Sequence, residues 1–577
     1  MKVKMQNSWS LVLFLWFLCF YACQPNKADM AVVDTILYNA YVYPVTGSPI
    51  ENGAVVISGG RIIETGNSDD ILTNWQDKSH EKIDCKGSFL MPGFIEGHGH
   101  FSNLGFNLIH LDLLKTKTWE EIADSVAGRV KMAKPGEWII GRGWHQEKWE
   151  SAPDQNVNGY PYHNLLSSVS PDNPVLLLHA SGHALFANEA AMKKAGVTQE
   201  TPDPEGGHIL RDNSGVALGV FEERAMNIIY GLYQADVAGI SEEQQAAEWH
   251  HAIDLAQQHC LRHGITTFED AGSLLKEVNR YNKLAEDDAL DIRLWVMLRH
   301  RYDTIKDMLA GFPIIRTGNN MFTCRAIKTE LDGALGSYGA WLLEPYDDKP
   351  GFTGQNTTPV DEVRSIADLA LESNMQLCVH SIGDKGNRVT LDIFEETFAA
   401  HVDTKDLRWR IEHAQHLDPA DIPRFKKLGV IASMQGIHCT SDAPFVVKRL
   451  GEKRSREGAY AWRSLLDSGA VIANGTDAPV ESVDPLPCIY ASVTRKRLDN
   501  GMEFFPEQKM TREEALYSYT MANAYAAFED DIKGSIEKGK LADLILVSKN
   551  LLTCSDSEIP EAQVTLTMVG GVVKYRR

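Results

Sequence analysis

The chain has 577 residues, long enough for one large enzyme fold with an accessory domain, and an apolar fraction of 44% can fill a core of that size. Its 57 Lys and Arg against 78 Asp and Glu leave a formal net charge of −21. That balance opposes non-specific binding to nucleic acid or anionic lipid and argues against a nucleic-acid partner.

At the N-terminus, Lys2 and Lys4 precede an apolar run from Leu11 to Phe20 that Ala22-Cys23 closes. The run is too short to span a bilayer and reads as a signal peptide over residues 1–22. A Cys after a small residue resembles the cleavage and lipidation site of bacterial lipoproteins, with Cys23 acylated and residues 23–33 as a tether. The expectation is an exported protein of the bacterial cell envelope, on the periplasmic side or at the outer membrane, that touches the membrane through this anchor only. An uncleaved anchor or a simple secretory peptide is the alternative. The remaining cysteines (Cys85, Cys260, Cys324, Cys378, Cys439, Cys488 and Cys554) form neither a disulfide framework nor a Cys-x-x-Cys metal site, and read as free and structural.

From Asp34 to Gly93 the pattern is short and β-rich, with a tight turn at Ser58-Gly59-Gly60-Arg61. The same texture returns in Ala542 to Val547 and Leu566 to Val573. Residues 34–92 and 535–577 therefore suggest one small β-sandwich assembled from both chain ends. Between them, over 93–534, short apolar runs alternate with helical stretches: Phe94-Ile95, Ile265 to Phe268, Leu294 to Leu298, Ala326 to Lys328, Leu377 to His380, Arg410 to His413, Val430 to Met434 and Val471 to Asp477. Eight such runs predict an α/β fold, a (β/α)₈ barrel of TIM type. This count treats residues 101–257 as a lid or substrate region inserted after the first strand, although Trp138 to Gly141 and Val175 to His179 also have strand character.

His98 and His100 end the first run. Residues i and i+2 of a strand point to the same side, so both imidazoles can converge on one cation. Alone the pair is weak evidence, because a buried His bonded to a carbonyl is common. His380, His413 and Asp477, however, each end another run. In a parallel barrel those ends open on one face, so residues distant in sequence meet there. His with carboxylate is the donor set for Zn²⁺ or a similar divalent ion.

The ordered segments Met91-Pro92-Gly93-Phe94, His98-x-His100, Gly264-Ile265-Thr266-Thr267, Asp332 to Ser337, His380 to Asp384, Glu412-His413-Ala414-Gln415, Gly475 to Pro479 and Gly539 to Asp543 resemble the amidohydrolase superfamily, and within it amidohydrolase family 3, the YtcJ-like metal-dependent hydrolases. The resemblance runs from about Ile36 to the C-terminus. It implies metal ligands on strands one, five, six and eight, with a strand-four residue often bridging two metals. His98, His100, His380, His413 and Asp477 take the ligand positions and Lys328 the bridging one. An ammonium is a poor ligand, so Lys328 would have to coordinate as a carbamate; if it pairs with Glu330 or Asp332 instead, one metal is expected rather than two.

A bound divalent ion, zinc by preference, would acidify a water and polarise a carbonyl. The resemblance implies that Asp477 takes the water proton and passes it to the leaving amine, with His413, or His380 if it is not a ligand, helping to stabilise the oxyanion. The expected reaction is hydrolysis of a non-peptide C–N bond in a small-molecule amide, such as an N-substituted formamide or N-acyl amine. A cyclic amide, lactone or ester at the same metal site is the second reading, and a non-catalytic binding lipoprotein the third.

For substrate contact the insertion offers Trp144, Trp149, His179, His183 and Asn188. Trp144 and Trp149 would form either an aromatic wall over an apolar substituent or the insertion's own core. His179-Ala180-Ser181-Gly182-His183 resembles a family segment that lines the pocket, which favours His183. The chain departs from its relatives at Gln435-Gly436-Ile437-His438, where they often have Pro after the Gln, and at Tyr338, where they often have Arg.

Overall fold

The computed structural model describes residues 32–577 apart from 158, 181, 183 and 402–405, and only the backbone of 147. The signal segment, Cys23 and His183 lie outside the described residues.

Eight parallel strands form the barrel: Phe94–Gly99, Ile265–Ser273, Arg293–Leu298, Phe322–Glu330, Gln376–Ser381, Arg410–His413, Ile431–Gln435 and Ile472–Gly475. Each is buried along nearly its whole length, on both faces, as a parallel strand under helices must be. They pair in chain order from one to eight. Strand eight then lies against strand one, where the Asp477 N–H donates to His98 O at 2.8 Å. Closure needs small residues there: a Cβ at Gly97 would fall 2.6 Å from Asn474 O, and one at Gly475 2.6 Å from His98 N.

The eight strands expected from sequence are thus the eight of the barrel. The inserted layer is narrower than residues 101–257. Helices Phe101–Ile109 and Glu242–Arg262 pack on one another and bury Phe101, Leu104, Trp249 and Ile253 in the barrel's own core. Between them stands a separate six-stranded sheet that includes Ile139–Trp144, Val175–His179, Ala184–Ala187 and Ala217–Glu223. The two ambiguous runs, at 138–141 and 175–179, belong to this sheet, where they pair in parallel.

Both chain ends share one eight-stranded sheet, joined where Phe89–Pro92 runs antiparallel to Leu544–Val547. It is one continuous hydrogen-bonded sheet. The sheet curls, so that Leu37, Val55 and Ile57 share a core with Leu544, Leu566 and Met568. A buried bidentate pair, Arg293 with Asp543 at 2.7 and 2.9 Å, ties it to the barrel. The seven described cysteines are free. Among the described residues, no helix is long and apolar enough to cross a membrane.

Candidate metal centre

Strand one carries Glu96 and His98 on one side, and His100 follows at its end as the N-cap of the next helix; His98 is buried and His100 keeps 25% of its side chain exposed. His98 Nδ1 is hydrogen-bonded to the Glu412 carboxylate, which puts the ring proton on Nδ1 and leaves the Nε2 lone pair free. That Nε2 lies 3.6 Å from Asp477 Oδ1, and His100 Nε2 lies 3.3 Å from the same oxygen.

Glu412 is itself held. Arg410, two residues earlier on strand six, approaches it through Nε at 2.7 Å, and its other nitrogens donate to Glu269, to Gly97 O at 2.6 Å and to Ser433 Oγ at 2.8 Å. All three ionic groups are buried. Burial opposes ionisation of Glu412, but Arg410 and then His98 outweigh it and hold the carboxyl well below its usual range. Glu269 has one guanidinium partner against the same burial, and is pushed up to about 7.

Strict strand alternation would turn His413 away from the side Glu412 faces. The backbone instead goes left-handed at His413 (φ 76) and Ala414 (φ 41). The His413 ring then sits 4.6 Å from that of His98 and 4.4 Å from that of His380, centroid to centroid. Asp477 has a left-handed backbone too, at φ 59. Such conformations cost about 1–2 kcal/mol for a non-glycine residue and persist where the surroundings fix them. His413 Nδ1 bonds Gln435 Oε1 at 2.8 Å, so its proton also resides on Nδ1 and its Nε2 is free to coordinate. His380 Nε2 is buried without a hydrogen-bond partner.

A further histidine joins the group. His438, on the helix Gly436–Ser441 after strand seven, stacks 6.4 Å from His413 at an interplanar angle of 18°. Donor atoms of His413, His438 and Asp477 lie within 4.8 Å of one another, as do those of His98, His100 and Asp477. The tautomer sets His438 apart from His98 and His413. Its Nδ1 faces the Gln415 amide nitrogen at 3.1 Å and must accept, which in this amide orientation puts the proton on a buried, unpartnered Nε2. His438 is therefore set up as a hydrogen-bond donor into the site. Sequence reasoning missed this role because the residue sits one helical turn past a strand end.

Burial, reinforced by neighbouring positive charge, pushes His413 down to about 3 and His380 well below the usual imidazole range. For His98, burial outweighs the pull of Glu412 and also lowers the pKa. Neutral imidazoles are the ligating form. Burial opposes ionisation of Asp477 as well, but His100, His98 and His413 hold it well below the carboxylate range.

Lys328 on strand four donates to Ala271 O at 3.4 Å. It makes no ion pair with either partner considered from sequence: Glu330 pairs with Arg299 at 2.7 Å, and Asp332 accepts from the N–H groups of Trp341, Ile382 and Gly383. A cavity of about 630 Å³ opens beside Lys328 over the ends of strands two to four, lined also by Gly272, Glu277, Arg299 and His300. None of the histidine or aspartate donors lines it, so donor geometry rather than cavity volume locates the centre.

The aromatic wall is corrected. Trp144 is fully buried, donates from Nε1 to Leu177 O at 2.8 Å and packs with Trp149, Trp119 and Phe186 in the insertion's own core. Asn188 caps the helix Glu189–Lys194: its Oδ1 accepts from Ala191 N and Val175 N, and its Nδ2 donates to Ser170 and Asn173 carbonyls. His179 Nε2 meets Gln146 Oε1 at 3.2 Å, with its ring edge-on to Trp144.

A parallel barrel whose strand ends gather neutral imidazoles around a buried carboxylate is the architecture of a metal-dependent hydrolase. The donor set fits a divalent ion, because the Nε2 atoms of His98 and His380 are buried without a hydrogen bond and have only carboxylate oxygens nearby, Asp477 at 3.6 Å and Asp332 at 3.9 Å. The chain belongs to the amidohydrolase family, whose model matches residues 81–575. It is 31% identical over 562 residues to Protein LONG AFTER FAR-RED 3 of Arabidopsis thaliana, covering 94% of this chain and 92% of that one. To the N-substituted formamide deformylase of Arthrobacter pascens it is 27% identical, covering 94% and 98%. Among solved structures, an uncharacterized metal-dependent hydrolase from Pyrococcus furiosus superposes with a TM-score of 0.69 at 27% identity, covering 90% of this chain and all of the other.

Proposed function

We propose that this enzyme hydrolyses a non-peptide C–N bond in a small amide, with N-substituted formamides and N-acyl amines as the substrate class. The similarity to an N-substituted formamide deformylase over 94% of the chain supports the bond type. The observation that carries the mechanism is the buried Asp477 carboxylate, 3.3 and 3.6 Å from two histidine nitrogens.

His98, His100, His380, His413 and Asp477 would hold one or two divalent ions, Zn²⁺ by donor type, with a carboxylated Lys328 bridging if there are two. Such an ion supplies Lewis acidity for the carbonyl and for an attacking water. The chain's own groups do the rest. Asp477, kept ionised by its histidines, accepts the water proton and returns it to the departing nitrogen, one carboxylate serving as base and then acid. His438, with its proton on Nε2, donates to the oxygen that gains charge as the carbonyl is attacked. That replaces His413 in the oxyanion role, because the free Nε2 of His413 is an acceptor and coordinates instead. At the cell envelope, acylated Cys23 would keep the enzyme on the membrane; the sequence around Ala22-Cys23 supports this reading.

The test is amine release from N-formyl and N-acyl amines, set against esters and lactones, by zinc-restored wild type and Asp477→Asn. Amides should be turned over. The variant should lose about 10²- to 10⁴-fold in kcat with an unchanged circular-dichroism spectrum. Turnover of esters or lactones alone would remove the C–N assignment, and wild-type rates in Asp477→Asn would remove the base.

A further inference from the structure

Strand Ile139–Trp144 of the inserted sheet leads to a segment docked at the barrel mouth. Lys148 pairs there with Glu481 at 3.6 Å, four residues beyond Asp477. Arg142 lies on that strand. Of its five N–H donors, one is used: Nη2 donates to Ala180 O at 3.1 Å. Its Nε is sealed from solvent and has no partner, and among the described residues no carboxylate forms an ion pair with the guanidinium.

The fully buried arginines are answered inside the fold. Arg293 has Asp543, and Arg410 has Glu269 and Glu412. Arg495 lacks a carboxylate but donates to Phe504 O and Tyr460 O, with its guanidinium over the Trp462 and Phe504 rings. Arg142 has none of these arrangements. Burial lowers its pKa, and Asp477 is the carboxylate whose charge reaches it. The side chain is half-buried, and its sealed, unpartnered Nε leaves the fork with one hydrogen bond inside the protein, which an incoming anion would complete.

We propose that Arg142 binds a carboxylate carried by the substrate, so that the enzyme selects amides bearing a negative group, N-formyl and N-acyl amino acids among them. The planar fork of the guanidinium matches a carboxylate in a bidentate contact. Because its strand leads to the Lys148–Glu481 contact at the barrel mouth, the anionic group would lie toward the inserted sheet and the scissile bond toward Asp477. The proposal rests on the amide-hydrolysis reading above for the identity of the bond, and not for the anion site itself.

The test compares N-formylphenylalanine with N-formylphenethylamine, which lacks only the carboxylate, in wild type, Arg142→Gln and Arg142→Lys. In parallel, phenylacetate binding to zinc-loaded wild type and Arg142→Gln is measured by titration calorimetry. The wild type should favour the acid in kcat/KM by about tenfold to a hundredfold, the range for a charged hydrogen-bond pair. Arg142→Gln should bring that ratio toward one, chiefly through KM for the acid, with Arg142→Lys in between, and phenylacetate should bind Arg142→Gln at least about tenfold more weakly. No preference for the acid in the wild type, or equal phenylacetate binding by wild type and Arg142→Gln, would overturn the proposal. If neither formamide is cleaved while phenylacetate binding still depends on Arg142, the anion site stands and the amide-hydrolysis reading falls.

Discussion

Replacing Glu412 with Gln probes the way the fold readies His98, a candidate metal ligand. The carboxylate bonds His98 Nδ1, fixing the ring so that Nε2 faces Asp477, and it meets Arg410 Nε at 2.7 Å. A neutral amide keeps the shape but gives up the charge that makes His98 a stronger donor. The loss expected on removing such a supporting group is about 10- to 100-fold in metal affinity. That is about 1.4–2.7 kcal/mol. Arg410 keeps Glu269, Gly97 O and Ser433, so the stability cost should stay below the ~3–5 kcal/mol of a buried ion left wholly unpaired. Zinc affinity is read by competition with a chromophoric chelator, and stability by urea unfolding of the zinc-free protein. Glu269→Gln is the matched control. It touches Arg410 and not His98, and with a pKa near 7 Glu269 is already partly neutral, so affinity should stay near wild type. Zinc affinity in Glu412→Gln within about twofold of wild type, with the fold intact, would refute the reasoning and leave Glu412 a purely structural counter-ion.

Lys328→Ala should lower the metal content from two ions per chain to one by elemental analysis; an unchanged ratio would remove the bridging role. Buried His416 is pushed down to about 3 by burial, against about 6.5 in an unfolded chain. Between those values the unfolded state binds a proton that the folded state refuses, so this residue costs about 2 kcal/mol of stability as the pH falls from 7 to 5 and contributes little change above 7. His416→Phe should therefore lose less stability over that interval than wild type does, and equal losses would contradict the shift. For the anchor, Cys23→Ser in the full chain should move the protein from the membrane fraction to the soluble one, and continued membrane partitioning would count against lipidation.

Much of the fold was readable because its rules are local. Runs such as Leu294–Leu298 are apolar on both faces and bounded by helical stretches, a pattern that parallel strands under helices require. Barrel geometry then converts position into proximity, so His98, His100, His380, His413 and Asp477 could be placed on one face without knowing any distance. Where a buried layer ends is not local. The helices Phe101–Ile109 and Glu242–Arg262 carry the same amphipathic signal whether they cover a barrel or an inserted sheet, and only packing assigns them to the barrel.

By itself the sequence determined the eight strands, the donors at their ends and the acidic charge, since period, residue type and strand polarity are properties of the chain read in order. The tertiary structure alone decided which groups complete those donors. Glu412 reaches His98 across 314 positions, and a left-handed backbone turns His413 inward. Gln415 sets the His438 tautomer, and Trp144 is drawn into a core while Arg142, two residues away, is left without a counter-ion. Hydrogen-bond satisfaction and burial depend on what closes over a residue, and that is fixed only when distant segments meet.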